Sequence, residues 1–357
     1  MRWLALDRWV RRRTPFKLPR YPFGQLEKLA FIHFAHWSLV DRIPPNSRTA
    51  RRLDHPYMLF QTNFNRGWRE YVEAFCLVIP VAMRLNWRFM YGFPPPKPVG
   101  PFMEYVEKRF TKDAHFYSAY PDSSTRMVLS AIEDRHKFNV FAAEASGPPA
   151  RFLPEARRRE LVFLTPASAR AGTISVMTPV LPGRQTKLRR VLEGLPKDVN
   201  SPLAQVAGTH MARWSVVCPL PHKKAKATDP TYFLLFTSWF DGSIDEYVSK
   251  LRTSLEKTAD DIWGYCVGYP WSKDPAKFAA YFAEHSITPR LAFTGYSENV
   301  TDVRASLELR RRLTRPVIQE STMDSIDLER AWLKQRGRHL GRKGLRRALE
   351  LIQRFHQ

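Results

Sequence analysis

Two histidines stand at the same place in two similar stretches of this chain. His33 lies in AFIHFAHWSLVD (30–41) and His210 in AGTHMARWSVVC (207–218). His33, Ala35, Trp37, Ser38 and Val40 match His210, Ala212, Trp214, Ser215 and Val217 at one constant spacing. Both stretches alternate as strands do, so His210, Ala212 and Trp214 fall on one face and Met211, Arg213 and Ser215 on the other. The same alternation groups His33 with Trp37 and turns His36 away, so His33 and His36 are not a chelating pair. An imidazole beside a tryptophan on an inward face has two chemical readings. It is an axial haem ligand or an acid/base group facing the space between sheets. Or it is a core histidine that hydrogen-bonds across a sheet, which its presence in both stretches favours. A carboxylate follows: Asp241-Gly242 makes a turn after the second strand, where Asp241 or Ser243 caps the next helix. The matching position of the first stretch is Asn65. An amide cannot perform a carboxylate's proton transfers, so the first half cannot run acid/base chemistry at this position and only the second half is a candidate for it.

The elements that must position these residues recur in order. YMLFQTNFNRGWREYVEAF (57–75) matches FLLFTSWFDGSIDEYVSKL (233–251). Trp87 pairs with Trp263, Gly92 and Pro94 with Gly268 and Pro270, Phe102 and Tyr105 with Phe278 and Tyr281, and Tyr120 with Tyr296. The rarity of the matched residue types argues for a real repeat. Each copy reads as a strand (30–41 or 207–218), a second strand (56–64 or 231–240) and a long helix (66–85 or 243–263). A Gly-x-Pro break, a short helix (101–110 or 275–285) and a strand (114–120 or 290–296) follow. A last helix starts at Ser123 or Asn299, both good N-caps. The second copy has a front piece, strand 173–180 and helix 185–195. It thereby gains the split-βαβ, ferredoxin-like plan. The first copy lacks it, and LVFLTP (161–166) is the segment that could supply it out of order. Trp37, Trp214, Trp87 and Trp263 recur and read as packing, whereas Trp68, Trp239 and Trp271 are free to line a pocket.

The expected fold class is α+β, with tandem duplicated ferredoxin-like domains forming a pseudo-dimeric α/β barrel, because each sheet has one bare face to bury. The divisions are a basic N-terminal extension (1–22), a first repeat (23–140), a linker (141–171), a second repeat (172–315) and a basic helical tail (316–357).

Over 30–138 and 172–313 this plan resembles the dimeric α/β-barrel superfamily, fused here into one chain, and within it the haem-binding branch that includes the dye-decolourising peroxidases. Those enzymes carry Gly-x-x-Asp-Gly. Here the stretch is Ser238-Trp239-Phe240-Asp241-Gly242, with Ser238 replacing the first Gly. The resemblance implies a peroxidase-like oxidoreductase with Asp241 as acid/base and Arg213 as charge stabiliser. It also implies haem, with His210 as ligand and Trp214 and His33 beside it, or else another small-molecule ligand.

Composition limits the alternatives. The chain has 357 residues and a formal charge of +23, from 57 Lys+Arg and 34 Asp+Glu. Residues 1–20 hold seven basic residues and one acid, and residues 332–357 hold eight and one. Arg11, Arg12 and Arg13 flank an apolar Trp-Leu start. Arg342, Lys343, Arg346 and Arg347 lie off the apolar stripe of an amphipathic helix, Leu345 to Phe355. These ends suit an anionic membrane surface or an acidic protein partner, with nucleic acid ranked lower. That supports the competing reading, a non-catalytic scaffold held by its ends. Cys76, Cys218 and Cys266 are too widely spaced for a disulfide framework, and no secretory signal or membrane-length apolar run is present. The expected location is therefore cytoplasmic, with peripheral membrane attachment as an option. Phosphate-loop, dinucleotide, nucleophile-elbow, HExxH and CxxC motifs are all absent, which disfavours the common nucleotide-dependent enzymes.

Overall fold

The computed structural model describes residues 31–47, 50–65, 67–146, 171–218 and 232–319. The basic ends, with Arg11–Arg13 and Arg342–Arg347, and the expected strand 161–166 lie outside the described residues.

The first half runs β1 (Ile32–Ile43), β2 (Arg51–Phe64), α1 (Trp68–Val78), α2 (Pro80–Trp87), α3 (Val99–Glu107), β3 (His115–Ser118) and α4 (Thr125–Ser146). The second runs β4 (Ala171–Pro179), α5 (Gln185–Glu193), β5 (Thr209–Val217), β6 (Phe233–Asp241), α6 (Ile244–Trp263), α7 (Pro275–His285), β7 (Pro289–Thr294) and α8 (Val300–Gln319). The chain is thus mixed α+β. The long helix expected over 66–85 is two helices, because Pro80 has no N–H to continue the first. The matching position of α6, Glu256, has φ of 25° and marks a kink there.

Local rules account for most boundaries. Ser243 caps α6 with a reciprocal pair: its side chain accepts from Glu246 N–H, and the Glu246 carboxylate accepts from Ser243 N–H. Asn299 caps α8 through Asp302 N–H, as expected. On α4 the cap is Ser124, which accepts from Met127 N–H, and not Ser123.

The strands form two antiparallel sheets, ordered β2-β1-β7 and β3-β5-β6-β4. Each half gives its last strand to the other half: β7 pairs with β1, and β3 pairs with β5. The expected closed barrel is not formed among the described residues. On one side the sheets meet, since Val176 of β4 bridges to Ser286 and Ile287 N–H bonds Ser175 O before β7 crosses to β1. On the other side β2 and β3 are not paired with each other. Ala212, Trp214 and Val216 face the helices, and Trp214 packs edge-on against Trp263 of α6. Trp37 stacks on Phe60, within a separate core under α1 to α3. Each fully buried aromatic of this kind is worth about 2–3 kcal/mol in transfer free energy.

Candidate functional site

Both predicted histidines sit in β-bulges. The register of β1 against β2 shifts between Ile32 and Phe34, and that of β5 against β6 shifts between Thr209 and Met211. The extra residue re-aims the side chain, so neither histidine follows the alternation of its strand. This separates His210 from Trp214, which packs among the helices and does not border the site. The His33 and His210 carbonyls accept the N–H groups of Gly295 and Ala119. Each of those residues precedes a tyrosine, so Tyr296 and Tyr120 are delivered to the histidine of the other half. A side chain at Gly295 would place its Cβ 2.8 Å from the Ile32 carbonyl oxygen. Only glycine allows that approach.

The result is one buried hydrogen-bonded row. Asp241 Oδ1 lies 2.9 Å from His210 Nε2, and His210 Nδ1 lies 2.9 Å from Tyr120 Oη. Tyr120 and Tyr296 hydroxyls are 2.5 Å apart, and Tyr296 Oη is 3.0 Å from His33 Nδ1. A carboxylate only accepts, so His210 Nε2–H donates to Asp241; with His210 Nδ1 as an acceptor, Tyr120 donates to His210, Tyr296 to Tyr120, and His33 Nδ1–H to Tyr296. His33 Nε2 is left buried without a hydrogen-bond partner. Burial holds the His33 imidazole down at about 4, with the Asn65 side chain opposing that shift and His210 adding to it. Burial also pushes both tyrosine hydroxyls well up, so they remain donors.

Asp241 and Asn65 occupy equivalent places. Asp241 Oδ2 accepts Val300 N–H at the start of α8, and Asn65 Oδ1 accepts Thr125 N–H at the start of α4. Asp241 therefore serves the N-terminus of α8, not that of α6. Replacing Tyr120 by Phe removes the centre of the row: His210 Nδ1 loses its partner, and the Tyr296 hydroxyl keeps only its bond to His33. A loss of about 2–3 kcal/mol in urea unfolding is expected; a neutral variant would show that the row contributes nothing to the fold.

Arg213 belongs elsewhere. Its guanidinium reaches across to β2, bonding the Thr62 carbonyl at 2.9 Å and Asn63 Oδ1, and pairs with Asp113 at 3.3 Å. The predicted trio of His210, Arg213 and Asp241 is therefore split: the first and third meet, and the second is the clamp of the open seam. Nor do the histidines fit a haem. Both His210 ring nitrogens are engaged, and its ring is packed against Phe34, Tyr120 and Tyr296. His33 is buried in the same cluster of rings. Phe34, which contacts the His210 ring, also stacks on Trp239 at 4.8 Å. A second buried polar set lies nearby: Ser175 Oγ contacts His36 Nε2 and donates to Gln61, and Gln61 donates to Thr237.

An opening does exist beside Arg213. A cavity of about 350 Å³ runs along the outer edge of β2, under α1, α2 and α3. Aromatic residues dominate it, with Trp68, Tyr71, Phe75, Trp87 and Phe102 among them; Arg213, Asp113 and Ser215 form its polar wall. Its origin is visible in the other half. There β4 pairs along β6, and Leu188 and Leu192 of α5 fill the core beside Tyr247 and Trp263. The first half has no such front piece among the described residues. Of the three tryptophans expected to line a pocket, only Trp68 does so. Trp239 is core, and Trp271 is largely exposed. The cavity was hidden from sequence reading, although the missing front piece was its signal.

No protein-family model matches the chain, and no curated protein or solved structure does either.

Proposed function

We propose that this protein is a small-molecule-binding α+β protein built from two tandem ferredoxin-like units, with the ligand held in the cavity of the first. The duplication is supported by the repeated element order and by pairs of equivalent residues that touch, Tyr120 with Tyr296 and Gln61 with Thr237. The observation that carries the binding reading is the cavity itself. Its size is within the range of small-molecule sites, about 300–1,000 Å³, and its apolar wall converges on a few polar groups. That lining selects a flat, largely apolar molecule, with a hydrogen-bonding end placed against the Asp113, Arg213 and Ser215 side.

The test is equilibrium binding of anilinonaphthalene sulfonate, followed by displacement with a panel of flat aromatic and isoprenoid compounds. Val106 lines the cavity and is only half-buried, so Val106→Phe narrows the space with little strain. Saturable binding is expected, weakened roughly tenfold by Val106→Phe at an unchanged melting temperature. A protein that binds no probe, or binds it equally well in the variant, overturns the reading.

A further inference from the structure

We infer that the corner between α1 and α2 docks on an anionic membrane surface, independently of any ligand in the cavity. The exposed residues there are apolar: Leu77 and Val78 at the end of α1, Val81 at the start of α2, and Phe89 and Tyr91 just beyond it, with Tyr91 95% exposed. At the equivalent positions of the second half, Leu77, Val78 and Val81 are replaced by Thr253, Ser254 and Lys257. At these three positions the repeat therefore has no structural need for an apolar group, whereas Phe89 and Tyr91 match Tyr265 and Val267.

The charge around the corner points to the partner. Residues 74–103 contain Arg84, Arg88 and Lys97 and no Asp or Glu; the acids that flank this stretch are Glu73, one turn before Leu77 on α1, and Glu104. Val81, Arg84 and Arg88 follow at i, i+3 and i+7, which places them along one side of α2. The Arg88 guanidinium lies over the Phe89 ring at 4.6 Å. Apolar groups that can sink to the acyl boundary, aromatic rings at headgroup level and cations for lipid phosphates are the parts of an interfacial anchor. No helix among the described residues is long and apolar enough to cross a membrane, so the contact is with one face of the bilayer. The residues of this surface, 77–91, are separate in sequence from the basic ends.

The experiment is co-sedimentation of the full chain with vesicles of phosphatidylcholine plus phosphatidylglycerol. Leu77→Asp, Val81→Asp and Tyr91→Asp are combined in one variant; all three sites are exposed, so its melting temperature should equal that of the wild type. A drop in partition of roughly tenfold or more is expected. A second readout separates this corner from the ends. The exposed thiol is removed by Cys218→Ser, and an environment-sensitive fluorophore is attached through Tyr91→Cys, the remaining Cys76 and Cys266 being buried. Its emission should shift to the blue on vesicle binding. A wild type that does not sediment, a triple variant that sediments like it, or a probe that keeps its aqueous spectrum on bound protein would each overturn the inference.

Discussion

Between pH 6.5 and pH 4 the protein is expected to lose on the order of 3 kcal/mol of stability for each of His33 and His36. Burial is the first cause in both cases and lowers both imidazoles from 6.5 to about 4. For His36 the nearby Gln61 side chain opposes the shift, and the Arg213 charge adds to it. The sign follows from which state binds the proton first. The unfolded chain takes it up near 6.5, whereas the folded chain resists until about 4. The contribution is complete above 6.5, drains away through the window and changes no further below 4. Together the two histidines represent much of the 5–15 kcal/mol that holds a typical domain folded. Urea unfolding at a series of pH values measures the slope directly. His36→Gln should flatten it by about half while keeping a hydrogen-bonding group beside Ser175. A stability curve that is level from pH 6.5 to 4.5 would contradict the buried, neutral assignment.

Replacing Arg213 by Met should cost about 3–5 kcal/mol, the usual loss when one member of a largely buried ion pair is removed. The side chain is 14% exposed and holds three partners at once: Asp113, the Thr62 carbonyl and Asn63. It is also the link across the side where β2 and β3 do not pair, so its loss opens the seam between the sheets. A fall in melting temperature of roughly 10 °C is expected. Arg213→Lys should recover only part of it, because an ammonium cannot span the same fork of acceptors. Combining Arg213→Met with Asp113→Asn should cost less than the sum, since the second change removes the stranded carboxylate. An Arg213→Met protein that melts within a degree of wild type would show that the seam is held by other contacts.

The sequence by itself determined the elements and their recurrence. Alternation in 209–217, helical spacing, Ser243 as one of two candidate caps and the repeated Trp and Tyr positions are short-range signals, and each was readable because period and capping depend on neighbours a few residues away. The repeat also marked Tyr120 and Tyr296 as equivalent and Asn65 as the counterpart of Asp241. The tertiary structure alone decided what those residues meet. One inserted residue in a ladder reverses the direction of a side chain, so the bulges at His33 and His210 undid an alternation argument that is sound for a regular strand. Exchange of β3 and β7 brought each tyrosine to the other half's histidine, and it drew Asp241 to the start of α8. Arg213 found its partners on β2, some 150 positions away in the chain. Contacts at such separations are chosen by how whole sheets pack, and no window of sequence records that choice. The same holds for the cavity, which lies where no strand or helix among the described residues covers β2 as β4 and α5 cover β6.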